Sequence, residues 1–265
     1  MNVLCSIIQE NTRGDRAMEE FPIQSIDDLM RVIQELHHRQ NDRLWFRGQQ
    51  DASWDLVPSV KRGCFPSREN FITNDFYIRV KQILPNPPQK ENYAAWLSIM
   101  QHYWLPTRLL DWSMSPLIAM FFAVEDYKKY GDETNACIWC LRPRVLNEQL
   151  GFGSFILPAD AYTVQRMLVR AFKENEPIEP EFEDKIVACC SVQNDLRMYS
   201  QQSAFTVHNT DQLLTNFCNQ ETLYKIIIPA NVRSTFLMNL DFFGINQGFI
   251  YPDMEHISKD IKNRV

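Results

Sequence analysis

Two short stretches hold the side chains that chemistry on a phosphate-bearing ligand would need. The first is Arg47-Gly48-Gln49, at the end of an alternating run. The planar fork of an arginine matches phosphate or carboxylate, and an adjoining glycine lets a ligand approach the backbone. An ion pair at a sheet edge is the structural alternative for Arg47. The second stretch, "QHYWLPTRLLDWSMSPLIAMFFA" (101–123), sets Gln101, His102, Thr107, Arg108 and Asp111 directly ahead of a strongly apolar segment. Arg108 and Asp111 flank Leu109 and Leu110, so two apolar residues turn inward while the charges sit beside a helix N-terminus, a place that favours anions. Such a knot either cradles a dinucleotide or serves as an Arg108–Asp111 clamp that only orders the loop. A lone histidine at a helix end, as His102 is, reads first as a structural donor.

Other chemistry is less well supplied. Cys137-Ile138-Trp139-Cys140 has the spacing of a redox or zinc pair, but on a strand an offset of three places the two sulfurs on opposite faces. Cys189 and Cys190 lack a second pair at metal spacing and read as buried small residues. No metal is implied. "GFGS" (151–154) is too short for a phosphate-binding fingerprint, and no serine or cysteine sits in a nucleophile elbow. The acidic run at 174–184 reads as a solvated loop.

The elements that must position these groups follow from periodicity and punctuation. Ser25, two acids, and then Leu29, Val32, Ile33 and Leu36 give a capped amphipathic helix. Residues 44–56 read as a strand, a turn at Gly48 and a second extended piece around Trp54 and Leu56. A helix is expected near Phe71–Ile83, and another from Tyr93 whose last turn holds Gln101 and His102. The segment "LPTRLLDWSM" reads as a loop. Ser115-Pro116 then starts a buried helix, with Gly131 as its terminator. Strands are expected at 136–143 and 223–230, helices at 162–172 and at 232–243 ending on Gly244, and an extended segment at 198–208. Helices alternating with short strands in this way indicate an α+β domain.

Composition narrows the functional classes. The chain has 265 residues, 45% of them hydrophobic, and a formal net charge of −6, which disfavours charge-driven binding to DNA. Seven cysteines, an odd number, and an N-terminus without the charged-then-apolar order of a signal peptide point to a reducing, cytoplasmic setting. Apolar runs such as "PLIAMFFAV" are far shorter than the roughly 20 residues of a membrane span.

Taken together, "LWFRGQ" (44–49), "W-x-L-x-PS" (54–59), "QHY-x-LPTRLLDW" (101–112), "PL-x-A-x-x-FA" (116–123), "R-x-x-x-Q-x-x-AF" (197–205) and "YPDME" (251–255) resemble the FRG domain family over about residues 25–257. On that resemblance, residues 1–24 form an N-terminal extension and 258–265 a tail. The sequence departs from the family pattern at Trp104 and Ser203, where glycine is usual, and at Glu255-His256, where "DG" often closes the last motif.

The order of these motifs also resembles ADP-ribosyltransferases. This implies a single α+β domain with a split mixed sheet, NAD as co-substrate, and a toxin of bacterial anti-phage or toxin–antitoxin systems with antitoxin and chaperone partners. The acceptor is RNA, slightly ahead of protein. A non-catalytic nucleotide- or nucleic-acid-binding module is the alternative. The resemblance assigns Arg47, Gly48, Gln49, His102, Thr107 and Arg108 to NAD, with Arg47 and Arg108 on its diphosphate, and makes Gln201, Asp111 and Glu255 the catalytic candidates. Positive charge develops on the ribose as nicotinamide departs, so a carboxylate there would stabilise the charge or take a proton from the nucleophile.

Overall fold

A computed structural model describes residues 18–40, 42–63, 68–129, 133–191 and 196–263. Cys5, Cys64 and the expected helix terminator Gly131 lie outside the described residues. The first strand, β1 (Glu20–Pro22), leads into α1 (Ile26–Gln40), whose first turn is closed by Asp28 N–H donating to Ser25 Oγ at 3.1 Å. Leu29, Val32 and Leu36 are fully buried, as their helical spacing requires. Next come β2 (Trp45–Gln49), α2 (Glu69–Val80) and α3 (Tyr93–His102), the last capped by the Asn92 side chain accepting from Ala95 N–H.

Residues 109–113 form strand β3 (Leu109–Ser113) where a loop was expected. Leu109 and Leu110 point to opposite faces of the sheet and both faces are covered, so the segment lacks the alternation that marks a half-buried strand. Helix α4 (Pro116–Val124) follows with Pro in its first turn. The rest of the chain supplies β4 (Ala136–Leu141), α5 (Pro143–Gln149), α6 (Tyr162–Leu168), β5 (Lys185–Cys190), α7 (Leu196–Ser200), β6 (Ser203–Asn209), β7 (Leu223–Ile228), α8 (Arg233–Phe242), α9 (Gln247–Ile250) and α10 (Met254–Asn263).

Three further expectations need correction. The piece around Trp54 and Leu56 is irregular and not a strand; it follows a turn at 52–53 and is tied down by Gln49 Nε2 donating to the Asp55 carbonyl at 3.2 Å. The extended segment expected at 198–208 begins as helix α7. Cys190, expected to be buried beside Cys189, is exposed at the end of β5, a strand the sequence reading did not identify. Cys137 and Cys140 do sit on opposite faces of β4, in different clusters.

The protein is a mixed α+β domain built on a seven-stranded sheet of order β1-β7-β4-β2-β3-β6-β5. β1 and β7 are parallel and every other neighbouring pair is antiparallel. The ladders are long except at one place: β2 and β3 share the single pair Phe46↔Ser113, whereas β4 and β7 share six. The sheet therefore has a seam at its centre. On one face, the β1-β7-β4-β2 half packs on α1, α4 and α8, and the β3-β6-β5 half on α3 and α6. A third cluster, with Trp45, Trp112 and Trp139, covers the opposite face of both halves.

Gly48 shows how tightly the seam is bordered. A Cβ at this position would lie 1.9 Å from the Ala119 carbonyl oxygen and 2.6 Å from Ala123 N, both backbone atoms of α4. Gly48 therefore answers to the packing of β2 on α4, with Ala119 and Ala123 equally small, and ligand approach is not what requires a glycine here. Gly48→Ala should cost about 3 kcal/mol through overpacking, read as a lowered midpoint in denaturant unfolding.

Candidate functional site

A cleft lies against the seam, bounded by β2 and β3, α4, α7 and Tyr251 beyond α9. It has two adjoining chambers of about 270 and 310 Å³. Arg62, Trp104, Asp111, Arg197, Gln201 and Ser203 border both.

Arg47 reaches across the seam: its Nη1 donates to the Asp111 carbonyl at 2.7 Å. Burial pushes its pKa down to about 10, against the pull of the Asp111 carboxylate, so it is charged at neutral pH. Its Nε is buried without a hydrogen-bond partner among the described residues, and so is Gln50 Oε1 in the same chamber. Burial raises the pKa of Asp111; Arg47, Arg197 and a hydrogen bond from Gln101 Nε2 oppose that rise.

The polar knot ahead of α4 builds this carboxylate's surroundings. Thr107, fully buried, takes a hydrogen bond from Leu109 N–H and donates its own hydroxyl to Gln101 Oε1 at 3.3 Å. The Asp111 carboxylate only accepts, so the Gln101 amide turns its nitrogen to Asp111 and its oxygen to the Thr107 hydroxyl. Thr107 thus stands behind the cleft wall and acts on Asp111 through Gln101.

Arg108 is also displaced from its expected role. It is 9% exposed and makes a two-toothed ion pair with Glu69, at 2.8 and 2.6 Å, plus hydrogen bonds to the Met167 carbonyl and Asn209 Oδ1. Leu109 and Leu110 are drawn to opposite faces of β3, and Arg108 is carried under α2 and away from the cleft. Glu255 stands exposed in the first turn of α10, paired with Lys259 at 2.7 Å. Gly48, Gln49 and Gln201 border the first chamber, and His102 the second. Gln49 Oε1 accepts from Trp139 Nε1 at 2.6 Å, and Gln201 Nε2 donates to the Ile250 carbonyl at 3.1 Å, so both amides are partly engaged in holding the wall.

The second and third guanidinium groups of the cleft belong to Arg62 and Arg197. Arg62 is held by the Val57 carbonyl, at 3.0 Å from Nε and 2.7 Å from Nη2. The Arg197 guanidinium lies over the rings of both Trp104 and Tyr251, 4.6 and 4.8 Å from their centroids, a cation–π arrangement. Trp104 adopts φ 65°, the left-handed region that favours glycine, while its ring is 73% exposed. The Tyr251 hydroxyl donates to Glu125 at 3.3 and 3.4 Å. Burial, helped by Asp126, raises the Glu125 pKa from 4.5 to about 7, against the Tyr251 bond and Arg197.

Arg197 and Tyr251 were visible in the sequence only as fixed points of the spacings "R-x-x-x-Q" and "YPDME". Arg62 carries no local signal, because it follows an irregular segment with no periodicity. Glu125 looks like any acid at a helix end. Among the described residues, no cluster of three or more His, Cys, Asp or Glu could hold a metal ion, and no helix is long and apolar enough to cross a membrane.

Two measurements check these assignments. Arg108→Ala strands the Glu69 carboxylate in the interior and should lower stability by about 3–5 kcal/mol in denaturant unfolding. Glu125 binds its proton more tightly when folded, so its stabilising effect is complete below pH 4.5 and fades as pH rises to about 7. The stability of the wild type relative to Glu125→Gln should fall across that window by roughly 1–3 kcal/mol, the range allowing for solvent at this half-buried carboxyl.

No curated protein and no solved structure matches the chain. Residues 42–132 match the family model of the FRG domain. Arg47, Arg62, Gln101, Trp104, Asp111 and Glu125 fall inside the matched stretch and Arg197, Gln201 and Tyr251 beyond it, so the floor and one wall of the cleft belong to the segment that matches the FRG domain model.

Proposed function

We propose that the cleft binds NAD and transfers its ADP-ribose to a cellular macromolecule, RNA ahead of protein. One observation carries this reading: Arg47, Arg62 and Arg197, from distant parts of the chain, converge on Asp111 in one cleft walled by Trp54, Trp104, Phe122 and Tyr251. The residues fit such a ligand, since cations suit a diphosphate, flat rings suit its heterocycles, and the orphaned Arg47 Nε and Gln50 Oε1 offer one donor and one acceptor. The family resemblance extends the reading to a toxin of bacterial anti-phage defence, restrained by an antitoxin.

NAD would supply a nicotinamide–ribose bond whose cleavage leaves positive charge on the sugar. Arg47 and Arg62 clamp the phosphates. Gln101, steadied by Thr107, holds Asp111 where it can face that charge, in surroundings where solvent screens it little. Glu125, balanced near neutrality, holds Tyr251 and through it the stacked Arg197.

The test incubates purified protein with radiolabelled NAD and total RNA or lysate. Wild type should transfer label. Arg47→Ala should weaken NAD binding at least about tenfold, and Asp111→Asn should leave binding within a few-fold while lowering transfer about 10²–10³-fold. Label that persists in Arg47→Ala rejects the clamp. NAD bound without transfer by the wild type establishes a nucleotide-binding module instead.

A further inference from the structure

We propose that the two chambers hold two different substrates, the second being an acceptor site for an uncharged, hydrogen-bonding ring. This assignment rests on the transfer reading above.

Three observations carry it. First, among the described residues Asp111 is the one carboxylate bordering both chambers, whereas Glu125 borders only the first of the two. A group that faces the bond being broken and also receives a proton from the incoming nucleophile must stand at such a boundary. Second, the chambers differ in chemistry. Arg47 and the orphaned Gln50 acceptor face only the first, which suits a diphosphate. The second adds Ser59, Ser98 and His102 over apolar walls from Leu105, Met198 and Phe205, a lining that suits a neutral flat group with hydrogen-bonding edges. The Ser98 hydroxyl donates to the Met198 thioether, a weak acceptor that a better one could displace. Third, Trp104 borders both chambers. Its φ of 65° belongs to the C-terminal cap of α3, where Trp104 N–H donates to the Gln101 carbonyl and Leu105 N–H to the Met100 carbonyl, each at 3.0 Å, and the residue is 73% exposed. The cap sets where the indole goes: it stands on Arg197, offering a flat face for stacking beside both chambers.

The step then balances. The acceptor's O–H or N–H bonds through its heteroatom to the ribose carbon, its proton passes to the Asp111 carboxylate and on to water, and nicotinamide leaves neutral with the electron pair of the broken bond.

Two variants that fill the second chamber, Ser98→Phe and Leu105→Trp, test the assignment, with circular dichroism to select whichever keeps the fold. Calorimetry with NAD and transfer of radiolabel to total RNA or lysate protein are the readouts. The expected result is an NAD Kd within about threefold of wild type and label transfer lowered at least about tenfold. Loss of NAD binding in a folded filled variant, or undiminished transfer, overturns the acceptor site and leaves the NAD reading standing. A wild type that binds no NAD overturns both, and one that binds NAD but labels nothing overturns the acceptor site.

Discussion

Removing a carboxylate from water costs several kcal/mol unless opposite charge and hydrogen bonds replace its hydration. At Asp111 that requirement organises the centre of the molecule. The replacement comes from Arg47 on β2, Arg197 on α7 and Gln101 at the end of α3, three elements separated in sequence and joined here around one side chain. Each partner needs its own support. Thr107 fixes the Gln101 amide, Trp104 and Tyr251 hold the Arg197 guanidinium, and the break in the β2–β3 ladder after a single residue pair leaves Arg47 room to reach the β3 backbone. A fully laddered sheet would offer no such gap.

The sequence displays the scaffold well and the site unevenly, for physical reasons. Helices α1 and α8 are visible because one face of each meets the core, and that writes a 3.6-residue period into the chain, whereas α3 is apolar and buried on nearly every side. Strand β3 is hidden because Leu109 and Leu110 are buried on opposite faces, which removes the alternation a surface strand would show. The same double burial misleads at Arg108. Its proximity to Asp111 along the chain suggests a shared site, but its partner is Glu69, 39 residues earlier, a pairing that only tertiary structure creates. Arg47 and Asp111 were legible because each sits in a compact knot of polar residues. Arg62 and Arg197 were not, because guanidinium groups in an irregular segment and in a one-turn helix look like ordinary surface charge.

The charge balance of the cleft also bears on how an acidic protein can attract an anion. The chain carries a formal net charge of −6, yet the cleft gathers three guanidinium groups against Asp111 and a Glu125 that is only about half ionised at neutral pH. Locally the three cations outnumber the carboxylates. Arg47 is partly shielded from water, so its field is less screened inside the cleft, while the surface acids act through solvent and fade within about 8–10 Å at physiological ionic strength. Arrival of a diphosphate would offset the excess cation and give the orphaned Arg47 Nε a partner. Because Glu125 shares the first chamber, its proton and the anion would be bound cooperatively: a second negative charge nearby favours the neutral carboxyl, and the neutral carboxyl removes a repulsion. The half-buried carboxylate that shapes the cleft and the half-titrated one at its edge thus divide the work, Asp111 fixing geometry and Glu125 adjusting charge.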